Sequence, residues 1–270
     1  MEGLFLHCGG KLVTRESLDL IPMPLETDSY KPVSHFGLTT KLLTVSQDLL
    51  KGFHLEREQY AVAKDGRQFF GVLNFAGDHP NMGMALAFRN SYDRSMSIGI
   101  AIGAQIFCCD NLALTGDITI MRKHTTNVWT SLEQTIVTTL YNSRGNYAKI
   151  VDDSQCMIAT PLVDEEAWRI MGLLYGMDIL GPRQLAEVKD LWRRPDHEAF
   201  EPRNLWSLYN NCTQALKSTP PVQYMDRHIA LHRALQGYRT AENVIPMMDY
   251  YGTTAPEPFD EDVYDVVVNG

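Results

Sequence analysis

Between residues 60 and 75, two apolar runs are joined by four residues that permit little except a tight reversal. Tyr60-Ala-Val-Ala63 is followed by Lys64-Asp65-Gly66-Arg67 and then by Gln68-Phe-Phe-Gly-Val-Leu-Asn-Phe75. Asp-Gly supplies the two positive φ angles of a type I′ turn, whose twist matches that of the flanking strands. This segment is therefore predicted to be an antiparallel hairpin. Met82–Arg89 and Met96–Cys108 read as further strands, and Ile118–Met121 as a short one. Gly99 and Gly103 mark a bulge or a close backbone approach within the long strand. Four or five neighbouring strands with short connections predict a largely antiparallel meander.

Helices flank the meander. Leu42, Leu43, Leu49 and Leu50 recur at near-helical spacing before Gly52, which predicts a helix over about 39–51. Beyond Asn127 the periodicity is helical: Val128–Asn142, then Asp164–Ile179 with Asp164 as N-cap, then about 183–192, 204–217 and 221–237. Pro22, Pro24 and Pro32 argue against a continuous helix near the N-terminus. The predicted class is α+β, an antiparallel β-meander with flanking helices and a helical C-terminal half. The expected organisation is an N-terminal arm (1–38), a helix-plus-meander core (39–150), a helical region (151–248) and a disordered acidic tail (249–270).

Charge bears on function. The chain has 33 Asp+Glu against 24 Lys+Arg, a formal charge of −9, which argues against coating nucleic acid by bulk charge. The tail holds six of those acids (Asp249, Glu257, Asp260, Glu261, Asp262, Asp265) and no Lys or Arg, so the body has 27 acids against 24 bases. No apolar run approaches the roughly 18–20 residues that would span a bilayer, and no signal peptide is read at the N-terminus. Five cysteines without a disulfide spacing pattern suit a reducing compartment.

Several chemistries find little support. The chain has neither Gly-x-x-x-x-Gly-Lys-Ser/Thr nor Gly-x-Gly-x-x-Gly, and Gly99-Ile-Ala-Ile-Gly103 lies inside a predicted strand. Zinc would need ligands that the pattern does not provide. Adjacent Cys108 and Cys109 would point to opposite faces of a strand. His228 and His232 share a helix face, but Ile229 stands where a zincin has its Glu; they read as two partly buried histidines. A thiolate pair of Cys108 or Cys109 with His124 would need the fold to bring them together, and cysteines in an apolar run are ordinarily structural. No catalytic residue, metal or cofactor is assigned.

Two turns suit binding. Arg89-Asn90-Ser91-Tyr92-Asp93-Arg94-Ser95 joins two strands, and Arg122-Lys123-His124-Thr125-Thr126-Asn127 joins the last strand to a helix. Residues 89–149 hold six bases against four acids, a local charge of +2. Arg, Lys, hydroxyl and amide donors suit phosphates, and an aromatic ring suits a base. The plainer alternative is that Asn-Ser-Tyr-Asp is turn chemistry and Arg-Lys-His a solvated strand end.

The ordered motifs carry a resemblance. Tyr30-Lys-Pro-Val-Ser-His35, Tyr60-Ala-Val-Ala-Lys-Asp-Gly66, Arg89–Ser95, Gly103, Phe107-Cys-Cys109-Asp110-Asn111-Leu112-Ala113, Lys123-His124 and Asn204-Leu-Trp206-Ser-Leu-Tyr-Asn210-Asn run in series over about residues 25–215. Together they resemble a phage- and plasmid-borne domain-of-unknown-function family, numbered nine-three-two. Cys108 departs from its pattern, which has an apolar residue there before a single Cys. The resemblance implies a mobile-element protein in the cytoplasm of an infected bacterium and brings no catalytic residues. In plan, a meander followed by a helix is also similar to the Rad-type single-strand annealing proteins, an analogy of fold alone.

The resulting expectation is a homo-oligomer that binds or anneals single-stranded DNA without catalysis. Its contacts would be Arg89, Asn90, Tyr92, Arg94, Arg122, Lys123, His124 and Lys149, with the acidic tail competing with DNA or recruiting a host or phage protein. The alternatives are a protein–protein effector that neutralises a host defence or redirects a host enzyme through its acidic surface, and an enzyme using Cys109, His124 or the His228/His232 pair.

Overall fold

The reversal at 64–67 is a type I′ turn. Asp65 (φ 56°) and Gly66 (φ 84°) occupy its centre, and the Arg67 N–H donates to the Lys64 carbonyl at 3.2 Å. The computed structural model to which it belongs describes residues 10–109, 111–122 and 128–238, except the side chains of 115–122, Thr130 and Pro221. The 249–270 tail, Lys123 and His124 lie outside the described residues.

The elements in chain order are β1 (Lys11–Val13), α1 (Arg15–Asp19), α2 (His35–Leu49), β2 (His54–Ala63), β3 (Gln68–Ala76), β4 (Met82–Ser91), β5 (Ile98–Ile106) and β6 (Asn111–Arg122). Then come α3 (Val128–Ile158), α4 (Asp164–Gly176), α5 (Pro182–Arg193), α6 (Leu205–Leu216) and α7 (Pro221–Gln236). The class is α+β, as predicted. Each strand pairs antiparallel with its neighbour in sequence, giving one sheet ordered β1-β2-β3-β4-β5-β6. The register is fixed at Ala63↔Gln68 by the turn and carries through Phe70↔Arg89, Arg89↔Gly99 and Ile98↔Arg122. It shifts in β2, between Leu55 and Arg57, and again in β6, where Ala101 faces Thr119 but Gly103 faces Leu114. A Cβ on Gly103 would stand 2.4 Å from the Ala113 carbonyl oxygen. The close approach expected of this glycine is real.

Strands β4 and β5 are buried along their whole length, and β3 along all but its last residue. Near-continuous apolar sequence of this kind needs cover on both faces. One face carries Ala61, Phe70, Val72, Ala85, Ala87, Ala101, Leu112 and Leu114, which pack with Tyr224, Met225 and Ile229 of α7. The alanines let the helix come close. The alternate residues, such as Phe69, Leu73, Leu86, Phe88 and Ile100, are buried on the other face, where α3 packs on β5 and β6 and also meets α2. Burying each large side chain stabilises the fold by about 1.5–3 kcal/mol.

The helices depart from expectation in three places. α2 starts at His35, four residues early, because Ser34 accepts the Gly37 N–H and caps it. α3 runs on to Ile158, across the boundary expected at 150/151. Asn142-Ser143-Arg144-Gly145 looks like a helix end, but Leu132, Ile136, Leu140, Tyr147, Ile150 and Met157 keep one continuous buried face, and packing outweighs the local cost of Gly145. At α4, Val163 rather than Asp164 is the capping position. The Asp164 carboxylate instead accepts from the Trp192 Nε1–H at 3.0 Å and from Arg203 at 2.7 Å. The predicted arm is partly built into the fold, since β1 joins the sheet beside β2.

Candidate nucleic-acid interface

The segment Arg89–Ser95 is where sequence and structure part most. Arg89 is 6% exposed. Its Nη1 donates to the Val222 carbonyl at 3.0 Å and to Asp226 Oδ2 at 3.1 Å, tying α7 to the sheet. Asn90 is fully buried, and its Nδ2 donates to the Val33 carbonyl at 2.6 Å and to His35 Nδ1 at 2.9 Å. With Nδ1 accepting, the proton of neutral His35 sits on Nε2 and is given to the Gly66 carbonyl at 2.9 Å. Tyr92 is also buried. Its ring stacks on His35 at 3.8 Å and 7°, and its hydroxyl accepts the His35 N–H at 3.0 Å. Burial pushes the Tyr92 hydroxyl pKa up despite the hydrogen bonds from His35 and Ser34.

Asp93 completes the knot. Burial pulls its carboxyl upward, but hydrogen bonds from Ser95 and Gln68 and the Lys64 charge outweigh that and hold its pKa below the usual value. Arg89, Asn90 and Tyr92 thus have internal roles, so a nucleic acid on the surface would not meet them. Three of the sequence motifs, at 30–35, 60–66 and 89–95, converge here into one clamp.

A second convergence lies by the β5–β6 turn. Asn111 Nδ2 donates to the Asn210 carbonyl at 3.1 Å, and Lys217 Nζ to the Cys109 carbonyl at 2.9 Å. His228 Nδ1 donates to the Leu112 carbonyl at 3.0 Å. His228 and His232 are entirely buried rather than partly so. Burial drives the His228 pKa down to about 3, keeping it neutral. His232 Nδ1 accepts from the Tyr209 hydroxyl at 3.2 Å, and its Nε2 faces Asp153 Oδ2 at 3.2 Å. The two rings therefore serve separate partners. Cys108 and Cys109 lie in a turn rather than in β5, and burial raises the Cys109 thiol to about 12, which disfavours a resting thiolate nucleophile. Among the described residues, no group of three or more His, Cys, Asp or Glu side chains is placed to hold a metal ion.

Of the remaining candidates, Arg94 and Lys149 are exposed. Arg94, exposed and in the left-handed region at φ 60°, lays its guanidinium over the Tyr30 ring at 4.3 Å. The Tyr30 hydroxyl donates to the Ser91 carbonyl at 3.3 Å, so the platform is fixed to the sheet. Next to Tyr30, Lys31 lines a groove of about 600 Å³ with Met23, Pro24, Leu25, Glu26, Pro32, Val128 and Trp129. Lys31 Nζ pairs with Glu26 Oε1 at 2.9 Å. Trp129, in the first turn of α3, is 37% exposed. Gly37 of α2 makes room for its ring, since a Cβ there would come within 3.3 Å of Trp129 Cη2.

Arg122 ends β6, and Val128, which opens α3, lines this groove. Lys149 is exposed further along α3. Nothing in the sequence points to Trp129, and Lys31 stands out there only as part of the 30–35 motif; the groove joins residues about a hundred positions apart. Comparison with protein-family models, curated proteins and solved structures finds no match, so the family resemblance rests on the motifs alone.

Proposed function

We propose that this chain is a phage-type protein of the bacterial cytoplasm that binds or anneals single-stranded DNA as a non-catalytic oligomer, through the groove at the start of α3. The observation that carries this reading is Trp129, half-exposed on a helix N-terminus, in a groove with Lys31 and next to the Tyr30–Arg94 stack. Single-strand binders combine aromatic surfaces for bases with cations along the backbone. A helix N-terminus adds favourable potential for phosphate. Arg122, Lys123 and His124 belong to the same stretch of chain. Both faces of the sheet are covered, so the sheet itself is no platform for bases. Among the described residues, the two terminal strands β1 and β6 each pair on one side only, which suits assembly.

The test is fluorescence polarisation with a short oligothymidine at low salt. Trp129→Ala should weaken binding roughly 5- to 150-fold, the equivalent of about 1–3 kcal/mol for a lost stack. Arg94→Ala should lower the slope of log K against log salt by about 0.7 for one phosphate contact. Absence of binding by the native protein, or undiminished binding by Trp129→Ala, refutes the reading. A second reading, a protein partner, is favoured by the apolar lining of the groove and by Leu25, 91% exposed beside it. A Trp129→Ala variant that loses an apolar peptide ligand while the native protein ignores oligothymidine would select it.

A further inference from the structure

Cys108 and Cys109 stand in the turn that joins β5 to β6. On a strand, adjacent side chains diverge. In this turn the backbone is not extended, so the two adjacent side chains are not forced onto opposite faces. Cys108 is exposed and Cys109 half-buried. The Cys109 thiol also points at the Ile106 carbonyl, 4.0 Å away, and the Cys109 carbonyl accepts the Lys217 ammonium at 2.9 Å. The turn thus presents one accessible thiol and, on the next residue, a half-buried one.

We propose that Cys108 and Cys109 form a reversible vicinal dithiol–disulfide couple, closed by oxidised low-molecular-weight thiols of the glutathione disulfide class. This is independent of the nucleic-acid reading. In the first step the Cys108 thiol gives up its proton and its sulfur attacks one sulfur of the small disulfide. A mixed disulfide forms at Cys108, and one small thiolate leaves and takes up a proton. In the second step the Cys109 thiol loses its proton and attacks the Cys108 sulfur, which expels the second small thiol. The protein gains one S–S bond and loses two hydrogens, and the small disulfide is reduced to two thiols.

Adjacent Cα atoms are about 3.8 Å apart across a trans peptide, below the roughly 4.4–6.8 Å of ordinary disulfides. The closed bond is therefore strained and readily reduced, which places it among the labile disulfides rather than the structural ones. Closing the ring also displaces the Cys109 carbonyl from Lys217 and loosens the tie between the turn and the end of α6. Because burial holds the Cys109 thiol protonated, closure speeds up as pH rises above neutrality.

The experiment treats the full chain with glutathione disulfide at about pH 8.5, where free thiols begin to ionise, quenches with acid and maps unreduced peptides by mass. The expected product is a peptide spanning 108–109 that is lighter by two hydrogens and is restored by dithiothreitol. Cys109→Ser should stop at the mixed disulfide on Cys108, and Cys108→Ser should yield neither product at 108–109. A native chain that accumulates only the mixed disulfide, or that pairs either sulfur with Cys156, overturns the proposal. The native mass alone decides if a serine variant fails to fold.

Discussion

Replacing Asn90 by alanine separates a clamp from a contact surface. The Asn90 amide gives its two N–H groups to the Val33 carbonyl and to His35 Nδ1, and all three residues are buried or nearly so. Truncation leaves two acceptors without donors, each costing about 1–3 kcal/mol. Some transfer and cavity cost adds to this, but a small polar side chain contributes little. A total loss of about 3–5 kcal/mol follows, a large share of the roughly 5–15 kcal/mol that holds a domain of this kind. At about 2–4 °C per kcal/mol for chains of this size, Tm should fall by roughly 6–20 °C. Calorimetry or a circular-dichroism melt measures it, with urea unfolding to check the free energy. Oligothymidine affinity, read well below the lowered Tm, should stay within about twofold of native. A melt within 2 °C of native, or a selective loss of DNA affinity in a fully stable variant, would mean that Asn90 acts at the surface and that the clamp is wrongly drawn.

The buried histidine makes a pH prediction. The folded pKa of His228 is driven down to about 3, whereas the unfolded value is about 6.5, so the unfolded chain binds the extra proton. Its contribution to stability is complete above about pH 6.5 and is lost as pH falls towards 3, at up to about 1.4 kcal/mol per unit. By pH 5 this amounts to about 2 kcal/mol, and His228→Gln should flatten that part of a urea-stability profile; an unchanged slope refutes it. Two glycines should respond oppositely to alanine. At Gly103 the new methyl meets the Ala113 carbonyl, costing about 1–3 kcal/mol or more, whereas Gly145, mid-α3 with nothing within 4 Å, should gain about 0.5–1 kcal/mol. Thermal melts of both variants check the pair, and equal signs would show the register or the helix to be misplaced.

The meander was legible because its signals are local. Asp65-Gly66 dictates a turn, and short apolar runs separated by short connections dictate antiparallel pairing of neighbours. Arg89–Ser95 was misread because guanidinium, amide and hydroxyl groups serve a buried carbonyl as readily as a phosphate. One clue was present: β4 is apolar on both faces from Met82 to Phe88, so polar residues continuing that strand had to be buried too. Arg94 escaped that logic because it lies beyond the strand, in the left-handed region. The full length of α3 was hidden by Gly145, whose local cost is offset by long-range packing on the sheet. Trp129 gave no signal because the walls of its groove come from residues 23–32, on the far side of the meander in sequence.

The two-sided cover of the sheet also sets a timetable for synthesis. Phe70, Val72 and Leu114 are complete once β6 has been made, but the helix that covers them, α7, begins about a hundred residues later. At about 5–20 residues per second, the ribosome leaves that face open for about 5–25 s. During this interval the nascent sheet presents an oily plane to its surroundings. A nonsense mutation anywhere between Val128 and Pro220 would make that exposure permanent, so such products are expected to go to inclusion bodies or proteases rather than persist as smaller active forms.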